Sequence, residues 1–577
     1  MFIILLSIKS KPHPLYIFAG WPGVVLSKRP VPLELSARNS FHETSVTCVN
    51  YVQHHQFRSN NIGVHRPPYT KRVVKVMLDG TRIKPESAIL DQPISSRPSA
   101  FLPLHRSTTM PQQSYCTSPS KRTLIAALLS LTSMSAMAQE WGTYLKPFAA
   151  DSLWNSRPVN PTFGDEVIPP TTVLPKVTNK DYSTGIFLAS PNDPPVTITG
   201  PAGSKGLYNA DPENYQDVTL PHWPASVQPA PGTDGHADVL DPTTGILHSF
   251  WKLKQENGKW VANLYSWTRI NGRGWADPGQ YYQGARAVGI PASAGLIRIH
   301  EAAAKPQFYP HALGMSLAYT GLSANPSYVF PATSGDAQAA KVNSGTIPEG
   351  SLLMLPPDFD TSKITNEEVR RIAETLKRFG AYVVDSNGIT PFIIYAEVNS
   401  IANPLSFGTY ADATRELQLI RAGLRRVTGA SSWVDGNGKT FVPNKNLNLL
   451  SMRGVWAQQS GNVLAKYSSW DQAVVFPATQ SVSEVVNYSN RGMNQVNWAK
   501  PQMGSQYKLT ARTTGGGKLR VTIYDQLTGK VVTDTGYLGN NESKTFTWNA
   551  NSPRLTVYAQ SGVGNGSHIG GELLRAD

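Results

Sequence analysis

Five segments near the C-terminus, Tyr507–Arg512, Lys518–Tyr524, Lys530–Asp534, Lys544–Trp548 and Arg554–Ala559, alternate apolar and polar residues one for one. A period of two puts alternate side chains on opposite faces of a strand. Segments of this kind suit half-buried strands and do not build an amphipathic helix. Turn formers such as Thr514–Gly517 and Gly539–Asn541 separate them, which is the cadence of an antiparallel β-sandwich.

Upstream, from Gln139 to about Gly350, short β-like runs such as Gly185–Leu188, His236–Leu240, Gly258–Trp267 and Gly289–Ile299 are broken by Pro, Gly, Asn and Asp. Connections like Leu220–Thr233, which holds Pro221, Pro224, Pro229 and Pro231, read as irregular loops over a β scaffold. Two helices interrupt this texture. One opens at Thr365 or Asn366 with acidic residues in its first turn, repeats apolar residues at Val369, Ile372, Leu376 and Phe379, and closes at Gly380. The other runs from about Asp412 to Val427, with Leu417, Ile420 and Leu424 on its apolar face. Ala381–Val384 and Phe392–Val398 read as strands. The chain is therefore expected to be mainly β with a few helices. A β-rich domain over 139–435, sandwich-like or jelly-roll-like, precedes an antiparallel sandwich of carbohydrate-binding type over 436–577, with the boundary at the turn Asp435-Gly436-Asn437-Gly438.

Composition separates the chain at another place. Lys121–Ala138 has a basic pair, an apolar stretch and the small-x-small pattern Ala136-Met137-Ala138, the three parts of a signal peptide over 110–138. Residues 1–109 then lie before a start at Met110 or form a disordered basic leader. Residues 1–138 hold 16 Lys+Arg against 5 Asp+Glu and both cysteines, Cys48 and Cys116, whereas the remainder holds 37 against 34 and no cysteine. The basic surplus is thus upstream, and the later chain lacks the charge footprint of a nucleic-acid binder. No run of 18 apolar residues exists to make a membrane-spanning helix. These features predict a secreted or periplasmic protein, cleaved at Ala138/Gln139.

Five of the six histidines after residue 138 fall between 222 and 311, interleaved with Trp251, Trp267, Trp275, Tyr281 and Tyr282. Aromatic planes beside titratable groups are what a polysaccharide or oligosaccharide site needs: rings stack on sugar C–H faces while imidazole, guanidinium and carboxylate address hydroxyls and acids. Three segments carry candidates. In Gly235–Asp241, His236 and Asp238 share a strand face, and Asp241 points the other way or begins the following turn. In Gly295–Glu301, Arg298 and His300 alternate with Leu296, so Arg298 is placed to clamp a carboxylate or to form a salt bridge with Glu301 or Asp277. His311 heads a later strand, and Arg286 joins the aromatic window as a second guanidinium. No cofactor motif occurs: there is no GxxxxGK[ST], GxSxG, HExxH or dinucleotide glycine fingerprint. A divalent metal bound through the His-x-Asp pair is compatible with the sequence.

Asp151-Ser152-Leu153-Trp154-Asn155, Gly235-His236 with Val239-Leu240-Asp241, Gly289-Ile290-Pro291, Gly295-Leu296-Ile297-Arg298, His311-Ala312-Leu313 and Arg378–Asp385 occur in that order. The ordered set resembles a widespread group of uncharacterised secreted bacterial proteins. The likeness covers about residues 145–430 and excludes the C-terminal sandwich. It implies a domain end near Leu424–Gly429, points to His236, Asp241, Arg298 and His311, and supplies no reaction.

Three functions fit these residues. A polysaccharide lyase uses Arg298 on a uronate carboxylate, His236 or His311 as base, and Tyr282 as proton donor. A glycoside hydrolase draws a carboxylate pair from Asp238, Asp241 and Glu301. A non-catalytic carbohydrate-binding or cell-surface protein uses the same surfaces without turnover.

Overall fold

The computed structural model describes residues 140–577 apart from 281, 403–409 and 488–490, together with five short strands before residue 84. Among the latter, Phe2–Leu6 pairs antiparallel with Leu15–Phe18 and Thr47–Asn50, and Leu78–Asp79 pairs with Arg82–Ile83. The signal segment expected over 110–138 lies outside the described residues, as does most of 1–109.

From residue 140 the chain is mainly β, as its patterning predicts. A seven-stranded mixed sheet runs in the order Thr162–Phe163, Arg425–Gly429, Leu352–Met354, Ala381–Gly388, Leu313–Ala318, Phe392–Tyr395, Lys176–Thr178. Its central pair, Leu313–Ala318 and Ala381–Gly388, is parallel. Such a pair needs a long crossover, which the helix Glu367–Arg378 helps to supply.

Alternation along these strands sorts the two faces. Met315, Leu317, Val383 and Ile394 pack with Val369, Ile372 and Leu376 of that helix and Leu417 and Ile420 of the helix Tyr410–Gly423. Tyr382, Val384, Ile393 and Tyr395 face the other way, into a core shared with Leu240 and Leu247. Those two leucines belong to a six-stranded sheet ordered Asn214–Tyr215, Tyr208–Asn209, Leu264–Arg269, Ile246–Trp251, Ala237–Asp241, Ile186–Leu188. The two sheets thus pack through one core. Val239, Phe250, Tyr265 and Trp267, on the far face of the second sheet, form another.

Two expectations change. Gly289–Ile299 is not a strand. Gly289 and Gly295 adopt φ of 81° and 70°, which breaks an extended run, and the segment passes through the shared core with Val288, Ile290, Ala294 and Leu296 buried in it. Its apolar character reflects burial on all sides rather than a strand face. The second helix stops at Gly423, earlier than its pattern suggests. Arg425–Gly429 then pairs with Leu353–Met354 and Thr162–Phe163 as an edge of the large sheet.

The C-terminal part is a sandwich of two five-stranded antiparallel sheets around a core extending from Leu449 to Leu573. It is tied to the preceding part by a polar collar. Asp211, 2% exposed, accepts hydrogen bonds from Tyr467 Oη (3.1 Å) and Gln472 Nε2 (2.9 Å). Arg453 donates to the Asp211 carbonyl (2.8 Å) and pairs with Glu213 (3.1 Å). Trp470 lies against Trp267 with ring centroids 4.8 Å apart, and Trp498 Nε1 donates to the Ala332 carbonyl.

Candidate functional site

Where the segment 289–297 leaves the shared core it is stitched to the last strand of the large sheet's centre: Ile297 N donates to Tyr395 O and Glu397 N to Ile297 O. A short helix, Ile299–Ala304, starts at once, with Arg298 at its N-cap and the Glu301 carboxylate accepting from Arg298 N. Arg298 and His300 therefore do not alternate on a strand; one caps a helix and the other rides its first turn. Gly295 is required here. A Cβ on it would sit 2.4 Å from Gly314 N and 2.7 Å from the Trp154 ring. That close approach brings Trp154, the helix start and the entrance to Leu313–Ala318 together.

They surround a cavity of about 560 Å³ whose wall includes Trp141, Lys146, Trp154, Asn155, Arg298, His300, Glu301, His311 and Asp435. Arg298 is 4% exposed. Its Nε donates to Glu397 Oε2 (2.9 Å), its Nη1 to Tyr144 O (2.8 Å), and the guanidinium lies 4.6 Å from the Tyr144 ring centroid. The buried ion pair is thus with Glu397, not with Glu301 or Asp277. Arg298 Nη2 is buried without a hydrogen-bond partner among the described residues, and so is Trp154 Nε1. Both groups can only donate, so two residues of this wall carry donors without an acceptor among the described residues.

His311 sets Nδ1 2.9 Å from Ala312 O and Nε2 3.0 Å from Glu301 Oε2. Both neighbours only accept, so both ring nitrogens carry protons and the imidazolium is the form that fits. Burial opposes that charge, but Glu301 outweighs it and holds His311 above its ordinary value. Burial likewise pushes Glu301 up, yet His311 keeps it below the usual carboxylate range. His300 makes no side-chain hydrogen bond among the described residues. Burial, aided by Arg298 and His311 against Glu301, lowers its affinity for a proton. Its imidazole is neutral at pH 7, with a lone pair to offer.

The other residues singled out by sequence lie elsewhere. His236 is 2% exposed and donates from Nδ1 to Phe250 O (3.2 Å); burial, reinforced by Arg286, lowers it to about 3. Asp238 does not orient it. The Asp238 carboxylate accepts from Ser293 N (2.8 Å), and burial raises its proton affinity. Asp241 accepts from His222 Nδ1 (2.8 Å) and from the amides of Thr243 and Thr244, so it is the turn former its context suggested.

Arg286 is buried against Asp385 (2.8 Å) and over the Tyr395 ring. Burial pushes Asp385 up to about 7 in spite of Arg286, with Asp336 adding to the rise. Trp267 and Trp275 are core, the first covered by Trp470 and the second stacked on Trp154 at 5.1 Å. Trp251 is half-buried and donates to Asp234. The Tyr282 hydroxyl is buried and pushed up to about 12. Tyr281 lies outside the described residues.

Arg298, Glu301 and His311 thus share one cavity wall, which also carries the rings of Trp141, Phe148, Trp154 and Phe379. Sequence reasoning missed both tryptophans and Glu397. The signal for Trp154 was present in Asp151–Asn155, whereas Glu397, at the end of a buried strand, carries none. Among the described residues no group of three or more His, Cys, Asp or Glu is arranged to hold a metal ion, and no helix is long and apolar enough to cross a membrane.

No family model and no curated protein sequence matches the chain. Parts of it are similar to solved structures. Accessory secretory protein 1, 2 and 3 of Streptococcus pneumoniae is 11% identical over 24% of this chain and 100% of that one, with a TM-score of 0.17. BiXyn10A CBM1 is 12% identical over 23% and 96%, with a TM-score of 0.17. TmCBM61 in complex with β-1,4-galactotriose is 14% identical over 21% and 88%, with a TM-score of 0.15.

Proposed function

We propose that this protein is exported and cleaves an acidic polysaccharide by β-elimination in the cavity over Arg298. One observation carries the reading: a guanidinium 4% exposed, with one amino group unpartnered, on a wall whose other unpaired donor is the Trp154 indole N–H. A uronate carboxylate supplies the acceptors both donors lack. Neutralising that carboxylate acidifies the sugar's α-carbon. The α-proton passes to the neutral His300 imidazole, the C–H electron pair becomes the new carbon–carbon double bond, and the bond from the β-carbon to the glycosidic oxygen breaks. The departing oxygen takes a proton from the His311 imidazolium, which Glu301 otherwise holds.

His236 and Tyr282, which do not line this cavity, take no part in that scheme. Hydrolysis by two carboxylates is the weaker reading, because of Asp238, Asp241 and Glu301 only Glu301 lines the cavity. Binding without turnover is favoured by one feature, the closure of Glu301 and His311 on each other.

The test is incubation of the purified chain with polyuronates and neutral glucans, read for ultraviolet absorbance of unsaturated ends and for new reducing ends. Elimination gives both signals on polyuronates alone, and His300→Ala lowers kcat at least about 100-fold. Reducing ends without the ultraviolet signal assign hydrolysis, and saturable binding with neither assigns a binding module.

A further inference from the structure

The strand Ser432–Val434 borders two cavities. Val434 lines the one described above, and Trp433 lines a second of about 360 Å³. The same division occurs at Leu153-Trp154, where Trp154 belongs to the first wall and Leu153 to the second. Successive residues there face different cavities, so these two stretches of backbone form the partition between them.

The second cavity is walled by Phe330, Ser351, Tyr382, Arg426, Trp433 and Lys445. Tyr382 is 2% and Ser351 3% exposed, and both hydroxyl oxygens lack a hydrogen-bond partner among the described residues. A buried hydroxyl without a partner is unfavourable, and a ligand hydroxyl would relieve it. Arg426 is occupied by Glu166 (2.7 Å). The Lys445 ammonium stands 5.2 Å from the Phe330 ring centroid and has no acidic partner among the described residues.

We propose that this second cavity is a distal subsite for another residue of the same acidic polymer. It rests on the saccharide reading above for its ligand class, and not on elimination. Hydroxyls both donate and accept, so Ser351 and Tyr382 match sugar hydroxyls whatever their orientation. The Trp433 and Phe330 faces stack on a pyranose C–H surface, and Lys445 meets the carboxylate. The subsite therefore selects for chain length.

Isothermal titration of the full chain with mono-, di- and hexauronates of galacturonic, mannuronic and glucuronic acid tests this. Tyr382→Phe and Lys445→Ala, each with an unchanged circular dichroism spectrum, are expected to weaken hexamer binding about 10-fold and to leave monomer and dimer binding unaltered. Arg298→Lys weakens every length. Hexamer affinity unchanged in both second-cavity variants overturns the subsite. If Arg298→Lys weakens binding in that case, the first-cavity reading survives alone. If second-cavity variants weaken the hexamer while Arg298→Lys does not, the subsite stands and the first reading falls. Failure of the wild type to bind any hexamer overturns the ligand class itself.

Discussion

At the scale of single residues, Arg298 is anchored on two sides and unpartnered on a third. Its Nε and Nη1 are committed to Glu397 and Tyr144, which fixes the plane of the guanidinium, and Nη2 is buried without a hydrogen-bond partner among the described residues. Lysine keeps the charge but loses the fork, so Arg298→Lys is expected to raise KM for a polyuronate about 10-fold or more, as measured by steady-state kinetics. His300 and His311 sit on opposite sides of ordinary histidine behaviour. His300 is held below 6.5 and His311 above it. A base must be free and an acid must be charged, so kcat is expected to rise with pH through the depressed His300 value, hold near 6.5 and fall through the raised His311 value. A pH–rate profile checks this, and His311→Gln should remove the alkaline limb.

The same pair bears on stability. His311, raised when folded, contributes fully below 6.5 and loses its contribution as pH climbs through its folded value. Glu301, depressed when folded, contributes above 4.5 and loses it as pH falls through its own. His236 and His248 remain neutral when folded down to about 3 and about 4, so below 6.5 the unfolded chain binds protons the folded one refuses. Thermal melts should therefore show a plateau between about 4.5 and 6.5 for the Glu301–His311 pair, overlaid by a steady loss of stability on acidification. His248→Phe should reduce that loss.

At the scale of elements, the helices were legible from pattern and caps. The Asn366 side chain accepts from Glu368 N and Val369 N, as an N-cap should. Asn366→Ala is expected to cost about 1 kcal/mol, seen as a lowered denaturation midpoint with unchanged slope. The Glu416 carboxylate adds a bond no local pattern foretells, accepting from Thr365 N across to the next helix. Gly289–Ile299 was misread for a physical reason: a segment buried on every side shows an apolar run with no period, and such a run resembles a strand until its glycines are seen in left-handed geometry. The same burial explains the aromatic window. Trp267 and Trp275 are large side chains filling the space beside the sheets, and their crowding near the histidines reflects a core rather than a shared groove. Arg298, Glu301 and His311 meet because Gly295 and Gly314 let two backbones touch, a long-range closeness that spacing along the chain cannot reveal.

At the scale of the molecule, the two β parts are joined by buried charge. Asp211 is fully enclosed, and burial raises its proton affinity against the pull of Arg453. Removing one partner of a buried pair costs about 3–5 kcal/mol. Arg453→Met is expected to lower stability by that order and to split one calorimetric transition into two, as the sandwich melts apart from the sheets before it. A single cooperative transition in the variant would show that the collar does not couple the parts. Sequence pattern located the sandwich strands from Gln506 to Gln560, because alternation is a local property, but it passed over Trp456–Ser460, Lys466–Ser468, Ala473–Phe476, Glu484–Asn487 and Ser567–Arg575. The collar was invisible to it: Asp211, Glu213, Arg453, Tyr467 and Gln472 come from distant segments with no signature in common.

That collar also limits how the protein can work. A sandwich fastened through an enclosed carboxylate and the Trp267–Trp470 contact has no tether on which to roam, so it cannot trawl for a ligand beyond the body of the protein. Whatever strand of polymer it touches must already lie alongside, and the reach of the molecule ends at its own surface.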